Sequence, residues 1–476
     1  MDARTGAHPT GAEVRRKVSH PIVDGDGHLV ESPLVFLDYV RQIAGPKMVA
    51  RLEHGVNPPG YAGVKGVFWG QPSGPHTVDR ATAMLPKLYA ERLDAAGIDF
   101  GVVYSTMVLS GMHLRDDEAR IVFHRALNAM LADIFSEVKH RLTPSAAIPM
   151  FTPSEAIDEL DHAIGKLGLK AATFGTEVRV IPQALKGKLT PEQELQIEKV
   201  HPVALDALCD YDPVWQKALD LKVTVACHTG DRGGLGRRAS PSNYVFNHLG
   251  CFSSSNDYFA RAIFMDGVTR RFPGLNFAFL EGGVAWACQL YNDLIEHWEK
   301  RNAGAMRANL DPAALDLDLM AELARTYGGN VITPAAVVDQ PKRGGMGGII
   351  KDIEIDDFRR CAIAEPRDIV DLFVEPFYFG CEADDRMNAV AFDKRLNHFG
   401  VKLKAMFGSD IGHWDVNDMT ECVAEAYELV EEGLFSEDDF RDFMYVNPVS
   451  FFTRSNPDFF KGTVIADAAA TVVAQT

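Results

Sequence analysis

The chain has 476 residues, of which 46% are hydrophobic and 24% are charged, a composition typical of a globular protein of enzyme size. Its 66 acidic and 48 basic residues give a net charge of −18, which argues against a nucleic-acid-binding surface because such surfaces need clustered lysine and arginine. No apolar run approaches the roughly 20 residues that span a bilayer. The seven cysteines form no C-x-x-C pair, so we expect a reduced, cytoplasmic protein without a disulfide framework.

The first 20 residues carry Arg15, Arg16 and Lys17 but no apolar segment after them, so we interpret residues 1–20 as a flexible tail rather than a secretory signal. Apolar, β-like runs then alternate with segments of helical periodicity such as Glu118–His140. The eight predicted strands are Ile22–Asp26, Asp99–Ser105, Leu142–Pro149, Leu169–Phe174, Lys222–His228, Leu275–Glu281, Leu372–Phe379 and Lys402–Ser409. This alternation predicts a parallel (β/α)8 TIM barrel over residues 21–463, with a doubly wound open sheet as the alternative.

The spacing of the predicted strands is uneven and indicates insertions at about 52–82, 180–213 and 301–365. Long connections in compact domains are typically lids or contact surfaces. We expect the longest insertion, which follows the sixth predicted strand, to cover the pocket or to contact a second subunit there. Residues 464–476 are interpreted as a C-terminal tail, either frayed or docked on a neighbouring subunit.

Ionisable residues stand at the ends of several predicted strands, where a (β/α)8 barrel collects its functional groups. The first strand contains VDGDGH (23–28), whose alternation would point Asp24, Asp26 and His28 the same way. Such like charges repel one another unless a cation lies between them. The other strand-end residues are His228 after the fifth strand, Glu281 after the sixth, Glu382 near the end of the seventh, and Asp410 with His413 after the eighth.

Each of these residues also has a purely structural interpretation. The first motif could be a polar turn, His228 a hydrogen-bonded core histidine, and Asp410 the N-cap of a helix over 416–432. Glu281 follows the apolar run 277–280, where a carboxylate without a partner would cost several kcal/mol. Taken together, two carboxylates and two histidines that meet at one point favour a divalent transition metal.

The motifs, in this order, resemble the metal-dependent amidohydrolase superfamily. They are D-x-D-x-H with E-x-P (24–33), H-x-G (228–230), R-F-P-x-L (271–275), E-G-G (281–283) and G-S-D-x-x-H (408–413). The most similar branch includes aminocarboxymuconate-semialdehyde decarboxylase and the hydroxybenzoate decarboxylases. The resemblance implies that Asp26, His28, His228 and Asp410 bind one divalent ion, Zn²⁺ or Mn²⁺. Lys170 lies at the start of the fourth strand, so we expect no second ion bound through a carboxylated lysine.

The decarboxylases of this branch usually have a histidine where this chain has Glu281. We therefore expect hydrolysis of a small amide, lactone or related carbonyl compound by water that the metal activates. Asp410 would accept the proton of the water, Glu281 would be a second acid or base, and His413 and Arg232 would bind substrate.

Non-oxidative decarboxylation of a hydroxyaryl or enol acid is the first alternative. A metal-free barrel with a binding or scaffold role is the second. We expect a homo-oligomer that acts on a small molecule and binds neither nucleic acid nor membrane.

Overall fold

Eight parallel strands form the centre of the molecule. The structure, a computed structural model, describes residues 9–55, 65–67, 69–190, 193–194, 197–230, 239–339 and 355–474. The strands are β1 Val23–Leu29, β2 Phe100–Ser105, β3 Leu142–Ile148, β4 Ala171–Phe174, β7 Val225–Cys227, β8 Phe277–Phe279, β9 Phe377–Cys381 and β10 Lys404–Phe407. Their hydrogen-bonded order is β1-β2-β3-β4-β7-β8-β9-β10. A separate antiparallel hairpin consists of β5 Glu177–Val180 and β6 Lys199–Pro202.

Helices fill the connections between the strands. From the N-terminus to β8 they are α1 Gly11–Lys17, α2 Pro33–Gly55, α3 Thr77–Met84, α4 Pro86–Ala96, α5 Val108–Gly111, α6 Asp117–Ile134, α7 Pro153–Leu160, α8 Asp212–Asp220, α9 Tyr244–His248, α10 Cys251–Met265 and α11 Val268–Arg271. After β8 they are α12 Ala285–Arg301, α13 Ala303–Asn309, α14 Leu317–Tyr327, α15 Pro334–Asp339, α16 Ala389–Phe392, α17 Cys422–Glu431, α18 Glu437–Arg441, α19 Asn447–Thr453 and α20 Ala466–Val473. No helix within the described ranges is both long and apolar enough to cross a membrane.

The two outer strands of this order meet and close the sheet into a barrel. The Asp410 amide donates to the Asp26 carbonyl at 3.0 Å, and the His28 amide donates to the Ile411 carbonyl at 2.9 Å. These bonds join the end of β10 to β1. The predicted (β/α)8 barrel is therefore confirmed, and the open-sheet alternative is wrong.

All eight predicted strands are present, with one clear shift. The seventh was predicted from Leu372, but residues Val370–Val374 form a π-helical turn and β9 begins at Phe377. Leu372 and Phe373 are buried in this turn. A short apolar run has no period that separates a buried helical turn from a buried strand, which explains the error.

The core has two parts, one inside the barrel and one between the strands and the helices. The barrel interior holds Val102, Tyr104, Leu280 and Met406 and continues into residues of the C-terminal region such as Phe459. Lys170 supports this end of the barrel, since its ammonium group donates to the Phe459 carbonyl at 2.8 Å. Lys170 is therefore absent from the polar cluster described below.

The segments expected to be tails contain helices that pack on the barrel. In α1, Thr10 and Glu13 form a capping box, and Val14 is fully buried. In α20, Ala469 and Val472 are buried in the interior cluster of the same chain. The tail interpretation is therefore wrong for residues 11–17 and 466–473, whose few apolar positions are enough to anchor short helices.

The insertion at about 301–365 does not begin beside Glu281, because the 17-residue α12 first carries the chain about 25 Å away. The returning segment contacts the chain before β8: Cys361 lies 3.1 Å from the Phe264 carbonyl, and Arg360 pairs with Asp266. These contacts lie at the N-terminal end of the barrel, so the lid prediction is wrong for residues 355–365. Contact with a second subunit stays a prediction.

The insertion at about 52–82 contacts the chain that follows β7. The Lys65 amide donates to the Ser240 carbonyl at 3.1 Å, and the Asn247 side chain donates to the Lys65 carbonyl at 3.0 Å. Ser240 and Asn247 follow the C-terminal end of β7. The described part of this insertion therefore lies against the segment between β7 and β8.

Candidate metal centre

The VDGDGH segment forms most of β1, but its regular alternation is interrupted. The pairing of β1 with β2 shifts register between Asp24 and Gly27, so one extra residue bulges out of the strand. Asp26 and His28 remain buried at the C-terminal end, with 4% and 1% of their surface exposed. The imidazole Nε2 of His28 lies 3.7 Å from Asp26 Oδ1.

Asp24 does not join these two side chains, contrary to the expectation from alternation. Its Oδ1 accepts hydrogen bonds from the amides of Asp26 at 3.1 Å and Ser409 at 2.9 Å, and its Oδ2 accepts from the Ser409 hydroxyl at 2.6 Å. Burial raises the pKa of Asp24 to about 6. Asp24 thus ties β1 to the end of β10, and sequence reasoning missed this role because it did not predict the bulge.

His228 follows β7 and faces both β1 and β8. Its Nε2 lies 3.5 Å from Asp26 Oδ1 and 3.2 Å from Glu281 Oε2. The Glu281 side chain is only 3% exposed, and its backbone adopts a φ of +56°. The preceding turn is fixed by Asn256, whose side-chain amide donates to the Leu280 carbonyl at 2.8 Å.

Asp410 and His413 complete the cluster after β10. Asp410 Oδ1 lies 2.9 Å from His28 Nε2 and 2.7 Å from His413 Nδ1. The His413 ring stacks on the His28 ring with centroids 3.9 Å apart, and its Nε2 lies 3.3 Å from the Thr106 hydroxyl. The structure therefore brings together six of the seven predicted site residues, while Arg232 lies outside the described residues.

The donor atoms of this cluster lack the hydrogen bonds that buried polar groups normally have. Within the described chain, Asp26 Oδ1, both carboxylate oxygens of Asp410 and both ring nitrogens of His28 and His228 make no hydrogen bond of acceptable geometry. Ligand atoms of Asp26, His28 and His228 lie within 4.8 Å of one another, as do those of His28, Glu281, Asp410 and His413. Nitrogen and carboxylate donors left unpaired at this spacing fit a divalent transition metal.

The pKa values of the cluster show how strongly burial opposes charge there. Burial raises the pKa of Asp26 well above its usual range, and burial together with repulsion from Asp410 does the same for the pKa of Glu281. Burial and the neighbouring His413 lower the pKa of His28 to about 3. A divalent cation among these groups would favour ionised carboxylates and neutral imidazoles, the forms in which these side chains bind metals.

Asp410 and His413 form an ion pair against the same burial. Burial alone would raise the pKa of Asp410, but His413 and His28 outweigh it and hold the pKa well below the usual range. Burial would lower the pKa of His413, yet Asp410 and Glu281 outweigh it and raise the pKa to about 10. Asp410 is therefore an anion in this arrangement.

Further carboxylates surround this ion pair. Burial and repulsion from Asp410 raise the pKa of Glu382, at the end of β9, to about 7 and the pKa of Asp415 to about 8. Glu382 is among the predicted strand-end residues, whereas Asp415 is not, because it lies in a loop two residues past His413. The only sequence signal for Asp415 is its position at the end of HWD (413–415), close to His413.

The hydrogen bonds of the described residues do not support the structural interpretations of His228 and Asp410. His228 makes no ring hydrogen bond within the described residues, so it is not a satisfied core histidine. The helix after β10 begins only at Cys422 with Glu421 as its N-cap, so Asp410 caps no helix there. Glu281 Oε2 likewise has no hydrogen bond to the glycine turn that follows it.

The comparisons with known proteins agree with this fold. The family model described as amidohydrolase matches residues 23–338. An amidohydrolase from Mycobacterium avium subsp. paratuberculosis K-10 superposes with a TM-score of 0.51 at 16% identity, covering 91% of this chain and 100% of that one.

A dihydroxybenzoic acid decarboxylase from Polaromonas sp. JS666, solved with bound manganese and the inhibitor 2-nitroresorcinol, superposes with a TM-score of 0.50 at 14% identity, covering 93% of this chain and 99% of that one. No curated protein sequence matches this chain significantly. The family model covers most of the barrel and includes the strand ends that carry Asp26, His28, His228 and Glu281. The chain therefore belongs to the amidohydrolase family.

Proposed function

We propose that this protein is a metal-dependent hydrolase that cleaves a small amide, lactone or related carbonyl compound. The observation that carries the proposal is the set of unpaired buried donor atoms of Asp26, His28, His228 and Asp410 at the C-terminal ends of β1, β7 and β10. These four residues would hold one divalent ion, Zn²⁺ or Mn²⁺. When bound, such an ion lowers the pKa of water towards about 7 and polarises a carbonyl oxygen.

The remaining steps belong to side chains of the chain itself. Asp410 has two carboxylate oxygens without hydrogen bonds, so one oxygen can accept a proton from the attacking water. The water oxygen bonds to the carbonyl carbon, and the C–N or C–O bond to the leaving group then breaks. Glu281, whose Oε2 lies 3.2 Å from His228 Nε2, would give a proton to the leaving nitrogen or oxygen. His413 lies beside Asp410 and would hold the substrate oxygen.

The acidic groups around the cluster favour hydrolysis, which needs a proton donor for the leaving group. Burial and repulsion from Asp410 raise the pKa of Glu281 well above its usual range and the pKa of Asp415 to about 8. Glu281 can therefore hold a proton at neutral pH and give it to the leaving nitrogen or oxygen.

Non-oxidative decarboxylation remains the second candidate. It is supported by the likeness of this fold to the manganese-containing decarboxylase from Polaromonas. The two reactions differ in their products, because only decarboxylation releases carbon dioxide.

The test is a product assay on protein of measured metal content. Metal-loaded protein would be incubated with panels of amides, lactones and hydroxyaryl acids, with the carboxylic acid product quantified by chromatography and carbon dioxide by a coupled assay. We expect carboxylic acid product from an amide or lactone without carbon dioxide, abolished by a chelator. Carbon dioxide release from a hydroxyaryl acid would overturn the proposal in favour of the second candidate.

A further inference from the structure

Helix α14, in the insertion at about 301–365, exposes an apolar stripe. Leu319, Leu323 and Tyr327 are spaced by four residues, which places them along one side of the helix. Leu315 and Val331 continue the same spacing on either side of the helix. In chain order, the exposed fractions of these five residues are 40%, 50%, 44%, 80% and 86%. The stripe is therefore presented to solvent along the whole length of α14.

The segment that carries the stripe is held by defined local contacts. The Asp316 side chain accepts a hydrogen bond from the Leu319 amide at 2.9 Å and caps the start of α14. At its other end, the Ile332 amide donates to the Gly328 carbonyl at 3.0 Å. Another side of α14 packs on α15. Among the described residues 310–339, only Ala324 is buried, so the stripe contributes nothing to the barrel core.

The charged side chains of α14 lie away from the stripe. Asp318, Glu322 and Arg325 follow one another at helical spacing on a different side, and no stripe residue is charged. Two copies of a chain with a net charge of −18 can therefore approach here without bringing like charges into contact. Single exposed apolar residues are common on protein surfaces, but a continuous stripe of them typically marks an interaction surface.

The exposed area is of the size that a stable dimer needs. The five stripe residues and Ile332, which is 54% exposed, together expose on the order of 600 Å², against about 800 Å² per partner in a standard interface. The residues beside the stripe can supply the remainder.

We propose that two copies of this chain associate through α14, with the two helices antiparallel across a two-fold axis at Leu323. The stripe is symmetric about Leu323, since apolar residues lie four and eight positions before and after it. A two-fold axis there places Leu323 against its own copy and Leu319 against Tyr327 of the partner subunit. Every stripe residue then meets an apolar residue, which favours a second copy over an unrelated partner. The inference uses no residue of the metal cluster and does not depend on the proposed reaction.

Sedimentation velocity of the full chain over a range of micromolar concentrations tests this surface. We expect the parent to be dimeric and the double variant Leu319→Glu, Leu323→Glu to be monomeric. Its dimer dissociation constant should rise at least about a hundredfold, because each new carboxylate would be buried without a partner. Leu396→Glu, which changes a leucine that is 57% exposed outside the insertion, is the matched control and should sediment as the parent does. A monomeric parent, or a double variant that assembles as the parent does, would overturn the inference.

A cross-linking experiment locates the two-fold axis without disturbing assembly. Cys209 is exposed and the other six cysteines are buried, so Cys209→Ser gives a background with little surface thiol. In that background, Leu323→Cys should form a covalent dimer with a short bis-maleimide reagent, because the two thiols would lie side by side at the axis. Asp318→Cys, on a different side of α14, is the control and should not. Equal cross-linking of both variants, or none of Leu323→Cys, would also overturn the inference.

Discussion

Glu281 and Asp410 share an unusual backbone conformation, with φ of +56° and +51°. Such angles cost about 1–3 kcal/mol each at non-glycine residues and persist where the surrounding structure holds them. At Asp410, the hydrogen bond from its backbone amide to the Asp26 carbonyl stabilises this conformation. At Glu281, Asn256 fixes the preceding carbonyl. Both side chains are thereby directed into the cluster rather than along their strands.

Replacing Glu281 by glutamine should separate proton transfer from metal binding. The variant keeps the shape of the side chain but loses its basicity, and loss of a general acid or base typically lowers the rate by about 10²–10⁴. Because Glu281 is not among the four proposed ligands, metal content should stay near one ion per chain. Turnover and metal content are measured on one preparation, with Glu91→Gln, which changes an exposed carboxylate on α4, as control. Near-normal turnover would remove Glu281 from the mechanism, and loss of the ion would make it a ligand.

Asp24 acts through the residues that it orients. Its hydrogen bonds to the amides of Asp26 and Ser409 set the directions of two proposed ligands. Such supporting contacts typically contribute 10–100-fold in metal affinity. We expect Asp24→Asn and Ser409→Ala each to weaken manganese affinity by about that factor while the barrel still folds, as measured by competition with a chelator and by circular dichroism. Unchanged affinity in both variants would show that Asp24 has only a structural role.

At the scale of elements, helix α17 carries a carboxylate that opposes folding at neutral pH. Partial desolvation and repulsion from Asp384 and Glu421 raise the pKa of Glu425, although its side chain is partly exposed, from 4.5 to about 7. The native state therefore binds this proton more tightly than the unfolded chain does. The contribution of this proton to the free energy of unfolding is fully present below pH 4.5 and is lost as the pH rises through 7.

Glu425→Gln should remove this dependence. Thermal unfolding of the variant and the parent, measured from pH 5 to pH 8, should show a Tm advantage of the variant that grows with pH. Glu91→Gln should show no such trend. Parallel pH profiles for Glu425→Gln and the parent would contradict the pKa assigned to Glu425.

The strand ends show how far the elements could be predicted. His228 and Glu281 each follow an uninterrupted apolar run, so the sequence alone places them at the functional face. Asp24 was misplaced because a bulge depends on pairing with β2, which no local pattern records. The seventh strand begins later in the chain than predicted, because Leu372 and Phe373 can be buried in a π-helical turn as well as in a strand. Long-range pairing, rather than composition, decided both cases.

At the scale of the whole molecule, closure of the barrel assembles the cluster. Asp26 and Asp410 are 384 positions apart in the sequence, and the bonds between β1 and the end of β10 bring them to one point. The barrel and the convergence of strand ends could be predicted from alternating strands and helices. The position of the 301–365 insertion could not, because its side of the barrel depends on where α12 ends.

The central claim is that Asp26, His28, His228 and Asp410 hold one divalent ion. The most direct test is elemental analysis of the parent and the His228→Ala variant after purification with Mn²⁺ or Zn²⁺ and gel filtration. The account predicts about one ion per chain in the parent and less than a tenth of an ion in the variant, with both proteins folded by circular dichroism. A parent without bound metal, or a variant that keeps its ion, would contradict the account.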